Sequence, residues 1–307
     1  MQIRTYRSGD EIAQAEIYNE AAANLPKFKP ATAAEVGRRC QARDFDPSTR
    51  FYADDNGRVV GYAVYHPNGR VSYPWCRPGF ESAAAPLHQE VIAAMRGRNL
   101  LRAYAAYRRD WPEQISFLCE HGFKRTREMV NFVVDLSDIP MEPRRLQVSP
   151  VRPDDLSALT KLARGLIRET EPGALENAWV RNPYFSAQSV FVVRRDDGQP
   201  AALAVVVQNP DYTDPRVVDA DMPCFRLGAF GTEGMQVKRL NGLFSFVAAD
   251  ESGFAALARA LLRAAADRVK QAEALAAQAP SDVPHLLGFY ERYFRRQGSF
   301  PVLERAL

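Results

Sequence analysis

At 307 residues, with hydrophobic residues at 46% and charged residues at 25%, the chain has the balance of a folded globular protein and excludes disorder; its length favours two domains of about 150 residues. A net charge of +3 is too slight to argue for nucleic acid, whose binders concentrate Lys and Arg on one face. No apolar run approaches a membrane span.

In chain order, a strand is expected at Gln2–Tyr6, a helix at Asp10–Ala23 and a short helix at Glu35–Ala42. Arg50–Asp54 and Arg58–His66 form a hairpin across Asn56-Gly57, and Arg70–Trp75 adds a neighbour. A helix at Pro86–Met95, a strand at Leu100–Tyr107, a helix at Trp111–His121 stopped by Gly122 and a strand at Phe123–Leu136 complete the half. The proline-bearing stretch after Ser137 has no periodicity, which divides the chain into residues 1–138, a linker at 139–146 and residues 147–307. The second half then gives a strand at Gln147–Arg152, a helix at Leu156–Thr170 and strands at Ser189–Arg195 and Ala201–Gln208. Beyond them lies a β insert around 209–241, a hairpin or a lid, holding Asp211, Asp214, Asp219, Asp221 and Glu233.

The two halves repeat. Gly79-Phe80-Glu81-Ser82-Ala83-Ala84 and Gly253-Phe254-Ala255-Ala256-Leu257-Ala258 stand 174 residues apart, each after a β-rich run and at the opening of an Ala- and Leu-rich helix. Asn56-Gly57 is matched by Asp197-Gly198, and the opening Ile3-Arg4 with Gly9-Asp10 by Val151-Arg152 with Asp154-Asp155. Near the ends, Phe117–Phe123 recurs loosely as Tyr293–Phe300.

Small residues at a strand-to-helix corner let main-chain N–H groups approach a phosphate, helped by the helix dipole. Gly79, Phe80, Ser82, Ala83 and Ala84 in the first copy, and Val247, Gly253, Phe254, Ala256, Leu257 and Ala258 in the second, are the expected cradle residues. Arginine pairs at Arg38-Arg39, Arg108-Arg109, Arg144-Arg145 and Arg295-Arg296 are short and scattered, and read as solvated surface. Cys40, Cys76, Cys119 and Cys224 show no CxxC spacing, so no metal cluster is expected; they read as reduced thiols of a cytoplasmic protein, and Met1–Arg7 lacks the apolar core of a signal peptide.

An antiparallel sheet that feeds a corner of small residues, a helix, a parallel strand and a second helix ending in Gly-Phe resembles the GNAT superfamily of acetyl-CoA-dependent N-acetyltransferases, in tandem as in mycothiol-synthase-like enzymes. The resemblance covers nearly the whole chain twice and implies an α/β (α+β mixed-sheet) fold of two GNAT-like domains. It further implies acetyl-CoA (CoA) as cosubstrate, a small-molecule or peptide amine as acceptor, no nucleic acid or membrane partner, and a monomer or homodimer.

The family's corner glycines fall on Ser82 and Ala84, and on Ala256 and Ala258; its Gln or Arg falls on Gly79 and Gly253. A second register would put Arg77 at the phosphate. The family's proton-donating Tyr, four residues before the Gly of Gly-Phe, falls on Leu118 and Phe294, neither of which can donate. Tyr290, one turn before Phe294, is the substitute in the second half, and it reads also as a core residue. Asp250, after the fourth strand, is a candidate base. The second half is the expected seat of transfer, and the alternative is a non-catalytic coenzyme-sensing or assembly protein. Tyr104, Tyr107 and Trp111 could line a groove or simply pack.

Overall fold

The computed structural model describes residues 1–28, 30–41, 45–139, 146–162, 171–181, 188–207, 240–248, 253–269 and 274–307. The insert from 209 to 239, most of the linker, Cys224 and Asp250 lie outside the described residues. The chain forms two compact units, Met1–Glu128 with Phe300–Leu307, and Met129–Ser299.

In the first unit β1 (Gln2–Thr5), β2 (Arg50–Asp55), β3 (Arg58–Val64) and β4 (Trp75–Cys76) form an antiparallel sheet in that order. Asn56 and Gly57 both take positive φ, 54° and 84°, the twist-matched two-residue turn that Asn-Gly encodes. α1 (Asp10–Ala22) and α2 (Ala33–Cys40) cover one face. α2 starts two residues earlier than its apolar pattern suggests, because Thr32 and Glu35 form a capping box. α3 (Ala84–Gly97) and α4 (Pro112–Glu120) cover the other face, where Leu87, Val91, Met95 and Leu118 are sealed against Ala53, Val60, Ala63, Ala103 and Ala105.

β5 (Arg102–Ala106) meets the segment before β4 through one parallel bridge, Arg70 with Tyr104: Val71 N–H donates to Tyr104 O and Tyr104 N–H to Gly69 O, each at 2.9 Å. Gly69 is required there. Its φ is +92° and a Cβ would lie 2.7 Å from Arg102 O. Beyond this bridge β4 and β5 do not pair. On its other edge β5 pairs antiparallel with the end of β12 (Arg295–Ala306), from Val302↔Ala106 to Ala306↔Arg102.

The second unit repeats the plan with β7 (Val148–Pro150), β8 (Val190–Arg194), β9 (Pro200–Val207) and β10 (Leu240–Ala248) in antiparallel succession. Its hairpin differs: of the turn residues only Gly198 has positive φ, and Gly198 N–H returns to Arg195 O, so one more residue is needed to reverse the chain. α5 (Leu156–Leu162) follows a capped turn, and a short α6 (Pro172–Leu175) comes after it. α7 (Phe254–Arg268), β11 (Ala274–Pro280) and α8 (Pro284–Tyr293) complete the unit. β11 runs parallel to β10 and antiparallel to the second part of β6 (Lys124–Asp135), with Ala274↔Asp135 through Pro280↔Met129.

The repeat extends to side-chain chemistry. Asp10 accepts Arg7 N–H at 2.6 Å and takes Arg4 on both oxygens; Asp155 accepts Arg152 N–H at 2.7 Å and takes Arg194 on both oxygens. Each carboxylate caps the turn that starts its half's first helix, and its bidentate arginine keeps the nine-tenths-buried charge paired.

Candidate acyl-transfer site

In the second unit β10 and β11 pair at Leu240↔Ala274, Gly242↔Leu275 and Leu243↔Ala276, and then no further. Past that point the two strands part, leaving a V between Ser245–Ala248 and Ala277–Pro280. Which main-chain groups face it follows from β-ladder alternation. Val206 donates its N–H to Ser189, the residue before β8, so Val205 and Leu203 serve β10, where they oppose Ser245 and Val247. The main chain of Val247 is thus turned to β9, and the N–H and C=O groups of Phe246 and Ala248 point into the V. The sequence alone did not single these out, since a strand's free edge depends on which residues its neighbour engages.

At the corner beyond, Gly253 is the N-cap of α7 and provides no side-chain cap. Gly253 is half-buried and Ala256 exposed, with nothing larger than a methyl group on either, while Phe254, Leu257 and Ala258 are turned into the core. Phe254 lies edge-on to Phe289 and His285. Phe254 and Leu257 seat the helix start in the core, and among the described residues no side chain caps its first amides, the setting that suits a diphosphate.

Tyr290 sits on the α7 and α8 face of this V. It is fully buried, stacked on Phe132 and ringed by Phe244, Phe246, Phe289 and Phe294, and its hydroxyl has no hydrogen-bond partner. Burial holds the phenol well above its ordinary range, so it stays protonated. The structure also revises the alignment that set Phe294 at the family's tyrosine position. α4 and α8 each open on a proline, Pro112 and Pro284, and Leu118 and Tyr290 stand equally far beyond them. Phe294 is the residue that ends α8, and its N–H returns to Tyr290 O at 2.8 Å.

The first unit has the same corner with different contents. Gly79 has φ +87° in open space, and Gly79 N–H is taken by the Glu81 carboxylate at 2.9 Å. The backbone N–H groups of Gly79 and Glu81 hold that carboxyl below its usual range. Ser82 is exposed, Phe80 half-buried, and Ala83 and Ala84 are packed inside. Arg77, which the second register placed at a phosphate, is instead bound by Glu16 at 2.7 Å and by Glu20, and donates its Nε–H to Val59 O.

Where β4 and β5 part, Tyr107 presents its phenol oxygen to Tyr73 N–H and stacks on Trp111, which meets Trp75 edge-on. Trp111 donates its indole N–H to Pro26 O at 3.0 Å. The aromatic cluster of Tyr107 and Trp111 therefore packs the opening of this copy; Tyr104 takes part through its main chain. Leu118 stands where the other copy has Tyr290.

Among the described residues no group of three or more His, Cys, Asp or Glu could hold a metal, and no helix is long and apolar enough to cross a membrane. No family model and no curated protein matches the sequence. Among solved structures, a GCN5-related N-acetyltransferase from Sphaerobacter thermophilus is similar over 99% of this chain and 95% of that chain, at TM-score 0.58 and 13% identity. A tandem GNAT protein from the clavulanic acid biosynthesis pathway, solved without AcCoA, is similar over 99% and 98%, at TM-score 0.60 and 13% identity. A GNAT-family acetyltransferase from Colwellia psychrerythraea is similar over the full length of both chains, at TM-score 0.54 and 12% identity. With two copies of an antiparallel sheet, corner helix and parting parallel strand along its length, the chain has the tandem fold of the GNAT N-acetyltransferases.

Proposed function

We propose that the protein is an acetyl-CoA-dependent N-acetyltransferase whose second copy does the chemistry, on a small-molecule or peptide amine. The observation that carries this reading is the buried, unpartnered hydroxyl of Tyr290 beside the parted edges of β10 and β11. A lone polar group in an aromatic cage costs stability unless a partner arrives. The residues of the corner fit a diphosphate and the V fits a narrow polar arm.

Bound acetyl-CoA would supply a thioester whose acetyl group can pass to an amine. The N–H groups of Phe246 and Ala248 would steady the acetyl oxygen, as strand amides fixed in advance cost no reorganisation. As the amine nitrogen bonds to the acetyl carbon and the carbon–sulfur bond breaks, Tyr290 would give its proton to the sulfur and the amine's proton would pass to a base. Asp250, just beyond β10, is proposed as that base, and Gly253, Phe254, Ala256, Leu257 and Ala258 as the coenzyme corner.

Glu81, Tyr107 and Leu118 argue that the first copy is structural. The test is thiol release from acetyl-CoA across a panel of primary amines, paired with CoA titration. Turnover with about one CoA bound per chain supports the proposal; CoA binding without turnover on any amine favours a coenzyme-sensing role.

A further inference from the structure

Three members of the sequence's arginine pairs are taken up in ion pairs: Arg108 with Asp110, Arg109 with Glu128, and Arg295 with Asp135. A different set assembles on the α1 and α2 face of the first unit. Strand register brings it together. Arg50 opposes Val64 on β3, and two residues further His66 exchanges with Arg70 across a tight turn, His66 N–H donating to Arg70 O at 2.8 Å. By the period of two, Arg50, Val64 and His66 share one face with Tyr52 and Tyr62, and Arg39 comes from the last turn of α2.

Among the described residues, none of the guanidinium groups of Arg39, Arg50 and Arg70 has a carboxylate partner. Arg50 is nine-tenths buried, its Nε is sealed from solvent without a hydrogen-bond partner, and the ring of Phe45 lies 5.2 Å from its guanidinium carbon. Arg39 and His66 keep contact with solvent, yet burial, then the positive charge of neighbouring arginines, pushes the Arg39 pKa down, and burial followed by Arg70, Arg50 and Arg39 pushes His66 down to about 4. Among the described residues, the carboxylate that acts on Arg39 is Glu35, which also forms the Thr32 capping box.

Concentrating like charge on one face of the hairpin, with one arginine buried and underbonded, is unfavourable in isolation. An anion reverses the sign. We infer that Arg39, Arg50 and Arg70, with His66 beside them, form a binding site for the phosphate group of a small molecule. A single carboxylate would leave most of this charge uncompensated; a phosphate dianion offers three oxygens to donors carried by α2, β2 and the turn before β4. The site is separate from the β10 and β11 chemistry and does not depend on it.

The experiment is calorimetric titration of the full chain with inorganic phosphate and pyrophosphate at constant ionic strength, with acetate and a short RNA as comparison arms. Arg39→Gln and Arg70→Gln alter exposed side chains and should leave folding intact, which circular dichroism checks; Arg58→Gln, an exposed arginine elsewhere on β3, is the control. Saturable phosphate binding, weakened about tenfold by each of the first two substitutions and unchanged by the control, is expected. Absence of phosphate binding at millimolar concentration, equal loss in Arg58→Gln, or binding of RNA alone would overturn the inference.

Discussion

Tyr290 stacks on Phe132 with ring centroids 5.5 Å apart and planes 27° from parallel. Phe132 lies on β6, directly opposite Ala277 of β11, so the strand that borders β11 also fixes the phenol that the proposed chemistry needs. Truncating Phe132 to Ala is expected to cost about 3–5 kcal/mol of unfolding free energy, because both rings of the stack lose packing and a cavity remains. Denaturant unfolding checks this, and a smaller effect would mean that the stack is not tightly held.

Removing only the Tyr290 hydroxyl should act in the opposite direction. Its oxygen is buried without a partner, so Tyr290→Phe is expected to raise stability by about 1 kcal/mol. A loss of stability on denaturant unfolding would mean that the hydroxyl is hydrogen-bonded in the ligand-free fold and would contradict this account.

The two corners should differ in coenzyme binding. Ala256 is exposed at the start of α7, so Ala256→Glu would set a carboxylate among the amides proposed to hold a diphosphate; CoA affinity measured by calorimetry should fall at least about tenfold. Ser82→Glu makes the same change in the corner where Glu81 already occupies Gly79 N–H, and affinity should be unaltered. Equal effects at both corners would contradict the assignment of binding to the second copy.

Acid sensitivity is expected to come from His88. This residue is 1% exposed on α3, with neither ring nitrogen bonded, and burial first, then the charges of His121 and Arg305, push its pKa down to about 4. The folded chain keeps the ring neutral while the unfolded chain protonates it near the ordinary histidine value, so the unfolded state binds more protons between about pH 6.5 and 4 and stability falls as pH drops through that window. The total should be roughly 3 kcal/mol. His88→Leu should flatten the profile of unfolding free energy against pH; an unchanged slope would place the titration elsewhere.

Much of the fold was written locally. Asn56-Gly57 marks a hairpin because few other residues tolerate two positive φ values, and the corner at Gly253 shows as small residues before an Ala- and Leu-rich helix. What escaped were relations between distant segments. Nothing within Arg295–Ala306 says that its end will pair with β5, and nothing in β10 says that Phe246 rather than Val247 faces the V, since both facts belong to the partner strand. Tyr290 was legible as a candidate, but its equivalence to Leu118 needed the helix starts, because the Gly that anchors the motif at Gly122 is replaced by Phe294. The arginine cluster was invisible for the same reason: its members lie on α2, β2 and the turn before β4.

The proposal that the second copy transfers an acetyl group through Tyr290 is tested most directly by thiol release from acetyl-CoA with an accepted amine, comparing the native chain with Tyr290→Phe after both are shown to bind CoA. The account predicts equal binding and a fall in kcat of about 10²–10⁴ in the variant, and equal kcat in the two proteins would contradict it.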